Sequence, residues 1–538
     1  MDAFLKLLSV STLVISLFAF TACNNMGAHP SSFAIGGSVV NLAGTGGGLV
    51  LQDNLKDKLP VNANGTFAFA GALAGGTSYS VTILSQPSNP AQICSVSNGS
   101  GTATTNVTNV QINCGHNEWA WEAGASTVNP DPVYGNLGVS SASNTPGGRQ
   151  LPLSWTDMSG NLWLFGGYAF QNNVNSYSLM NDLWEFGAGK WTWVGGSNTG
   201  GQSGSYGALN SPAADNFPGG RYEGVSWTDV SGNFWLFGGN GYDSAGTIGR
   251  LNDLWKYSGG EWTWVAGSDL TEQRGVYGTL GVPSPNNVPG ARIDAVSWAD
   301  SSGNLWLFGG FGLDSTGTNG PLNDLWEYNA GQWMWVAGSK YANQAGVYGT
   351  QGIPTPDTVP GGRYSATGWT DLSGNLWLFG GHGTNGLLND LWKYGNGQWT
   401  WISGSFSADQ PGIYGSLGVS STSNVPGARQ TAVSWTDPSG NFWLFGGNAI
   451  DSANGVGLLN DLWKYSNGEW TWMSGAKLIN QNGVYGTHGN LGPGNIPGAR
   501  VQVCRWVDAN GNLWLFGGFG VPASGSEGNL NDLWMYMP

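Results

Sequence analysis

Side chains able to do chemistry are few and unevenly spread in this 538-residue chain. Histidine occurs at His29, His116, His382 and His488, and cysteine at Cys23, Cys94, Cys114 and Cys504. They form no zinc motif, and no nucleophile elbow or phosphate-cradling glycine loop accompanies them, so neither a metal nor a cofactor is expected. What remains is a scatter of aromatic and acid–base groups in segments that differ from one another: Tyr168, Phe170 and Tyr177, then Tyr242 and Asp243, then Asp314, His382 and Asp451. Stacking on rings and hydrogen bonding to carboxylates or an imidazole is the chemistry of polar-ligand recognition. The same Asp, His and Tyr groups would serve acid–base steps.

The elements that position these groups are repeated. A unit containing Phe-Gly-Gly begins at Phe165, Phe237, Phe308, Phe379, Phe445 and Phe516, at spacings of 72, 71, 71, 66 and 71 residues. In the fourth copy a first apolar run ends at Trp369, Thr-Asp-Leu-Ser-Gly-Asn makes a hairpin turn, and Leu376 to Phe379 forms a second run. Gly380-Gly381 is expected to end that strand. Asn389 to Tyr394 makes a third strand and Trp399-Thr400-Trp401 lies in a fourth. Four short aromatic-rich runs separated by turns describe an antiparallel meander. The eight candidate residues fall between second and third strands, on one face together with the unit-to-unit links, and dissimilar loops on a rigid scaffold are a recurrent binding design.

All 30 tryptophans occupy these slots, six in each of the first three strands and twelve in the fourth. A Trp present in every copy is expected to pack between copies rather than to stack on a sugar. The last copy stops at Asn531 to Pro538 without a fourth strand, while Glu118-Trp119-Ala120-Trp121 precedes the first complete copy and matches Glu261-Trp262-Thr263-Trp264. Setting that strand beside the last one closes a ring and removes two open edges. Pro-Gly-Gly-Arg before the first strand, Leu-Trp-Leu-Phe-Gly-Gly in the second, and Asn-Asp-Leu-Trp with a downstream Trp resemble the kelch signature over residues 116–538. The resemblance implies an all-β fold, a six-bladed kelch-type β-propeller closed by an N-terminal strand. The period exceeds the usual ~50 because the links are long, and the first strand lacks the His often found after the Arg.

Other slots recur as well. Arg149, Arg221, Arg292, Arg363, Arg429 and Arg500 match in number Asp182, Asp253, Asp324, Asp390, Asp461 and Asp532, which predicts an ion pair across the second strand of each unit; a cationic ring for an anionic ligand is the rival reading. Asp157, Asp229, Asp300, Asp371, Asp437 and Asp508 suit Asx-turns in the opposite hairpins. Tyr134, Tyr206, Tyr277, Tyr348, Tyr414 and Tyr485 stand in equivalent link positions and read as scaffold.

The formal charge of −15 owes twelve of its 33 acidic residues to the two Asp slots, and with 18 Lys and Arg and no basic run a nucleic-acid partner is not expected. Residues 1–22 combine Lys6 with an apolar run from Leu7 to Phe20, an export signal rather than a membrane span. Phe20-Thr21-Ala22-Cys23 resembles the bacterial lipobox, which implies lipidation at Cys23 and a membrane-anchored lipoprotein of the bacterial outer membrane or cell surface. A soluble secreted protein cleaved near Ala22 is the alternative. Residues 23–32 read as a tether, and 33–115 resemble a small β-sandwich spacer domain, with Cys94 and Cys114 expected to form a disulfide in an oxidising compartment. Cys504 is expected to be a buried, inert thiol.

Some kelch-like propellers are enzymes, among them copper oxidases and a sialic acid epimerase. The copper site needs two His ligands and a Cys-crosslinked Tyr, which His382, His488 and a strand-bound Cys504 do not supply. The expectation is therefore a monomeric, surface-anchored, non-catalytic protein that binds a protein or glycan ligand, with a carbohydrate-active enzyme (epimerase, lyase or oxidase-like) as the alternative.

Overall fold

A computed structural model describes residues 32–42, 48–87, 93–115, 117–171, 176–492 and 494–538. The export signal, Cys23 and the tether up to residue 31 lie outside these residues. The chain divides into two compact units that meet in sequence between His116 and Asn117.

In the first unit, alternating apolar residues build two four-stranded sheets around one core. One runs Gly65–Ala68, Ile35–Val40, Val107–Gly115, Ile93–Ser97, and the other Asp57–Pro60, Val50–Asp53, Ser78–Ser85, Ser100–Thr102. Ile35, Leu51, Val110 and Ile112 are wholly buried between them. Cys94 and Cys114 sit directly opposite in an antiparallel pair and are joined by a disulfide.

The second unit is all-β and propeller-like, built from six repeats of an antiparallel sheet in sequence order. In the first repeat the second strand, Leu162–Gln171, pairs on one side with Arg149–Gln150 and Leu153–Thr156 and on the other with Ser176–Gly187, which pairs with Lys190–Gly195. Leu153–Thr156 and its equivalents each neighbour the next, and Cys504–Val507 of the sixth repeat neighbours Leu153–Thr156 of the first. Glu118–Ala123 pairs antiparallel with Gly528–Met537, the third strand of the sixth repeat.

The expectation that the glycine pair ends the second strand is corrected by the structure. Leu162–Gln171 runs through Gly166-Gly167 as a bulge, with φ of 67° and 97°. A Cβ on Gly166 would lie 2.8 Å from the carbonyl oxygen of Met180 and 2.9 Å from that of Arg221, so the glycine permits a close backbone approach. The strand does break there in the third repeat, into Leu305–Phe308 and Phe311–Leu313. The long links protect sheet edges. Ser141 bridges Trp191, Ala213 bridges Trp262, and Ser284 bridges Trp333, so these links cover the outer edge of their own fourth strands.

Tryptophans fill the joints between repeats. Trp155 stacks on Phe234 of the next repeat at 5.4 Å, and its indole N–H donates to the carbonyl of Trp235 at 3.0 Å. Within each repeat the expected Arg–Asp pair is present and buried. Arg149 Nη1 and Nη2 donate to Asp182 Oδ1 and Oδ2 at 2.7 and 2.9 Å, and its remaining donors reach the carbonyls of Gly147 and Gly166. Tyr134 Oη and Trp184 Nε1 complete the shell of Oδ2 at 2.9 and 2.7 Å. Burial and the adjacent aspartate both push the Tyr134 phenol well above its usual range, so it remains a donor. The other five repeats hold the same bidentate pair. A cationic ring is thereby excluded, since every one of these guanidiniums is spent on a carboxylate.

Asp324→Asn should therefore be far more damaging than Tyr277→Phe. The first leaves Arg292 charged and unpaired inside the protein, at about 3 to 5 kcal/mol; the second removes one hydrogen bond at roughly 1 to 2 kcal/mol. Urea unfolding midpoints compare them, and equal shifts would contradict this view of the pair.

Candidate functional site

The first strand of each repeat is interrupted by a kink two residues beyond the recurrent Arg. The kink residues Leu151, Glu223, Asp294, Ser365, Thr431 and Gln502 have φ between 52° and 62°, and none is glycine. A left-handed conformation costs such residues roughly 1 kcal/mol or more each. Compensation comes from hydrogen bonds between repeats: the amide of Asp294 donates to the carbonyl of Glu223 at 3.0 Å, Ser365 to Asp294 at 2.8 Å, Thr431 to Ser365 at 2.9 Å and Leu151 to Gln502 at 2.8 Å. Six kink residues, one per repeat, line a single cavity of about 190 Å³.

Two neighbouring walls of the cavity carry carboxyl groups. Burial and the proximity of Asp294 raise the pKa of Glu223; burial raises that of Asp294, although the Ser365 hydroxyl donates to its Oδ2 at 2.7 Å. Two carboxyls held this way resist carrying two negative charges, and the proton retained makes the pair both donor and acceptor. Deeper along the same strands the sixth repeat supplies Arg505, where the other repeats have Ser154, Ser226, Ser297, Gly368 and Ser434. Its Nη1 donates to the carbonyl and hydroxyl of Ser434, and burial pushes its pKa down to about 10.

Rings gather around Tyr222 and Tyr364, the residues that directly precede the kinks at Glu223 and Ser365. Tyr168 stacks on Tyr177 at 5.0 Å and lies 5.7 Å from Tyr222, while Tyr364 lies 5.4 Å from Phe311 and stacks on His382 at 5.1 Å. Asp294, Ser365, Thr431 and Gln502 also line a second hollow of about 380 Å³ with Tyr364, Asn448 and Phe519, so the polar walls continue into a wider mouth.

Of the residues expected to bind ligand, Tyr168, Phe170 and Tyr177 form one aromatic cluster and His382 joins the ring group around Tyr364. Tyr168, Phe170 and His382 belong to second strands, and Tyr242 ends one, opposite Ile248. Asp243, Asp314 and Asp451 are 2, 2 and 3% exposed. Their carboxylates accept from backbone amides of their own loops, Asp243 Oδ1 from Ala245 and Thr247 at 2.9 and 2.8 Å, so they fasten the turns instead of facing outward. Sequence reasoning missed Glu223, Asp294, Ser365 and Arg505. For the first three the signal was present: the position two after each recurrent Arg reads Leu, Glu, Asp, Ser, Thr, Gln in an otherwise regular unit, and three places further on Arg505 stands among serines and one glycine.

Among the described residues no three His, Cys, Asp or Glu side chains gather into a metal-holding group, and no helix is long and apolar enough to cross a membrane. Cys504 is buried, and burial raises its thiol pKa far above the usual range.

No family model and no curated protein matches this chain. Among solved structures, one titled "Structure of YjhT" is similar at 14% identity over 73% of this chain and 96% of that chain, with a TM-score of 0.42.

The carboxyl pair predicts a pH dependence of stability. A carboxyl whose pKa is raised in the fold stabilises it at pH below the unfolded-state value and loses that contribution as pH rises through the folded value. Glu223→Gln should therefore gain stability over the parent at alkaline pH, on the order of 1 kcal/mol, with no gain near pH 4. Thermal unfolding across pH measures this, and a pH-independent difference would contradict the paired state.

Proposed function

We propose that the six repeats are the blades of a kelch-type β-propeller closed by the 118–123 strand, preceded in sequence by a β-sandwich spacer at residues 33–115 and anchored through a lipid at Cys23. In this reading the protein is an exported, surface-anchored receptor of the bacterial envelope that binds a ligand without transforming it. The ligand is a glycan, or a protein segment presenting comparable polar groups, and it seats at the mouth of the axial cavity. The observation that carries this is a polar cavity whose kink residue differs in every repeat, with rings clustered on Tyr222 and Tyr364 immediately before two of those kinks. Rings give stacking area for the apolar faces of sugars, while Glu223, Asp294, Ser365, Thr431 and Gln502 offer donors and acceptors for hydroxyl groups. A repeated scaffold needs no such variety at one slot for its own stability.

One observation favours an enzyme: the Glu223–Asp294 pair is of the kind that moves protons in acid–base catalysis, and perturbed carboxyls gather at functional sites. An epimerase or lyase acting on the bound sugar would use it.

A glycan and surface-protein binding array with the full chain distinguishes these readings. Tyr222→Ala and Tyr364→Ala should each weaken binding roughly 3- to 10-fold, corresponding to about 1 kcal/mol of ring contact, with the ligand recovered unchanged. Recovery of an altered sugar that depends on Glu223 would transfer the assignment to the enzyme. Binding indifferent to both tyrosines would remove the site from the cavity mouth.

A further inference from the structure

Arg505 is out of character with its surroundings. Its slot holds serine in four of the other repeats and glycine in the fifth. Those serines are spent on the scaffold: Ser226 Oγ donates to the carbonyl of Ser154 at 3.0 Å, Ser297 Oγ to that of Ser226 at 3.3 Å, and Ser434 Oγ to that of Gly368 at 3.0 Å. In the sixth repeat this small hydroxyl gives way to a long cation.

The cation divides a channel. The cavity lined by the kink residues and a second hollow of about 440 Å³, lined by Trp155, Trp227, Trp298, Trp369, Trp435 and Trp506, share Ser154, Ser226, Ser297, Gly368 and Arg505 as their common boundary. Arg505 is the one charged side chain in that layer. Its Nη1 is engaged by Ser434, but Nε and Nη2 have no hydrogen-bond partner among the described residues, and no carboxylate lies within ion-pair distance. The six arginines of the repeated slot, by contrast, are each locked to an aspartate.

The Nε and Nη2 edge of a guanidinium presents two parallel N–H groups whose spacing matches the two oxygens of a carboxylate. A half-buried guanidinium without a counter-ion keeps a charge and donors to offer the cavity, and an anion placed against that edge supplies both countercharge and acceptors. Polarity also differs along the cavity, with carboxyl groups at the kink and a cation at the boundary layer. On the kink side a dianion or bulky oxyanion would meet Glu223 and Asp294, whereas a single planar carboxylate fits the edge with the least repulsion.

We propose that Arg505 is the anion-binding floor of the axial cavity and that the ligand taken there carries a carboxylate, with its neutral, hydroxyl-rich or cationic part toward Glu223 and Asp294. This deepens the reading of the cavity as the ligand site and rests on it.

The test uses the full-length chain, the parent beside Arg505→Ser, which restores the residue of the sibling repeats, and Arg505→Lys, which keeps the charge without the fork. Carbon-13 acetate is titrated at constant ionic strength and followed by NMR line broadening, with inorganic phosphate in a parallel arm and thermal unfolding as a check on folding. The expected result is saturable acetate binding to the parent, weakened at least about 10-fold in Arg505→Ser and to a lesser degree in Arg505→Lys, with phosphate weaker than acetate. Absence of saturation in the parent, equal binding in a folded Arg505→Ser, or preference for phosphate would each overturn the proposal. Retained array binding by a parent that ignores acetate would show that the cavity-mouth reading stands while the carboxylate floor fails. Loss of both would remove the two together.

Discussion

The structure of the repeats depends on one buried ion pair made six times. A guanidinium and a carboxylate removed from water are tolerable only when nearly every donor and acceptor is met. Here Asp182 takes two bonds from Arg149, one from Tyr134 and one from Trp184, while Arg149 also holds the carbonyls of Gly147 and Gly166. One interaction thus ties the incoming link, the start of the first strand, the glycine pair of the second and the middle of the third. Because the bulge carbonyl must point at the guanidinium, the second strand carries a glycine pair at that point, and because the Tyr hydroxyl must reach the carboxylate, the link must fold back over the sheet. The length of the links follows from that fold-back and from the edge it covers.

That scaffold was legible in the sequence because its parts recur. Six copies of Arg, Asp, Tyr and Trp in the same order within each unit left little freedom in which strand each occupies, and the pairing of Glu118–Ala123 with Gly528–Met537 could be anticipated from a missing and a surplus Trp-x-Trp. The Asx-turn reading of Asp157 was similarly accessible; its Oδ1 accepts from the amides of Ser159 and Asn161, and Oδ2 also takes the indole N–H of Trp163. Glycines misled, since Gly166-Gly167 looks like a strand end and is a bulge within a continuing strand.

The site was harder to see for a physical reason. Asp243, Asp314 and Asp451 are polar and near turns, the profile equally of a ligand-binding group and of a carboxylate that caps a loop, and their recurrence six residues after the Phe of Phe-Gly-Gly in three repeats was the sign of the second. Glu223, Asp294 and Ser365 lie in what reads as the interior of an inner strand, where alternation predicts scaffold. A positive φ at a non-glycine residue cannot be inferred from composition, and it is this kink that turns the side chain from the sheet to the cavity wall. Variation at one slot within a regular unit was the available clue, and Arg505 among serines was its strongest instance.

The division of labour is then simple: residues that recur hold the fold, and residues that differ at the kink line the cavity proposed to take the ligand. A single variant separates the two, in which Glu223, Asp294, Ser365, Thr431 and Gln502 are all changed to leucine, the residue that the first repeat already accommodates at that kink as Leu151 with a φ of 55°. Its unfolding transition and its array binding should be measured side by side. Cooperative unfolding at or above the parent temperature together with loss of ligand binding is the predicted result; undiminished binding by this leucine-lined cavity would contradict it.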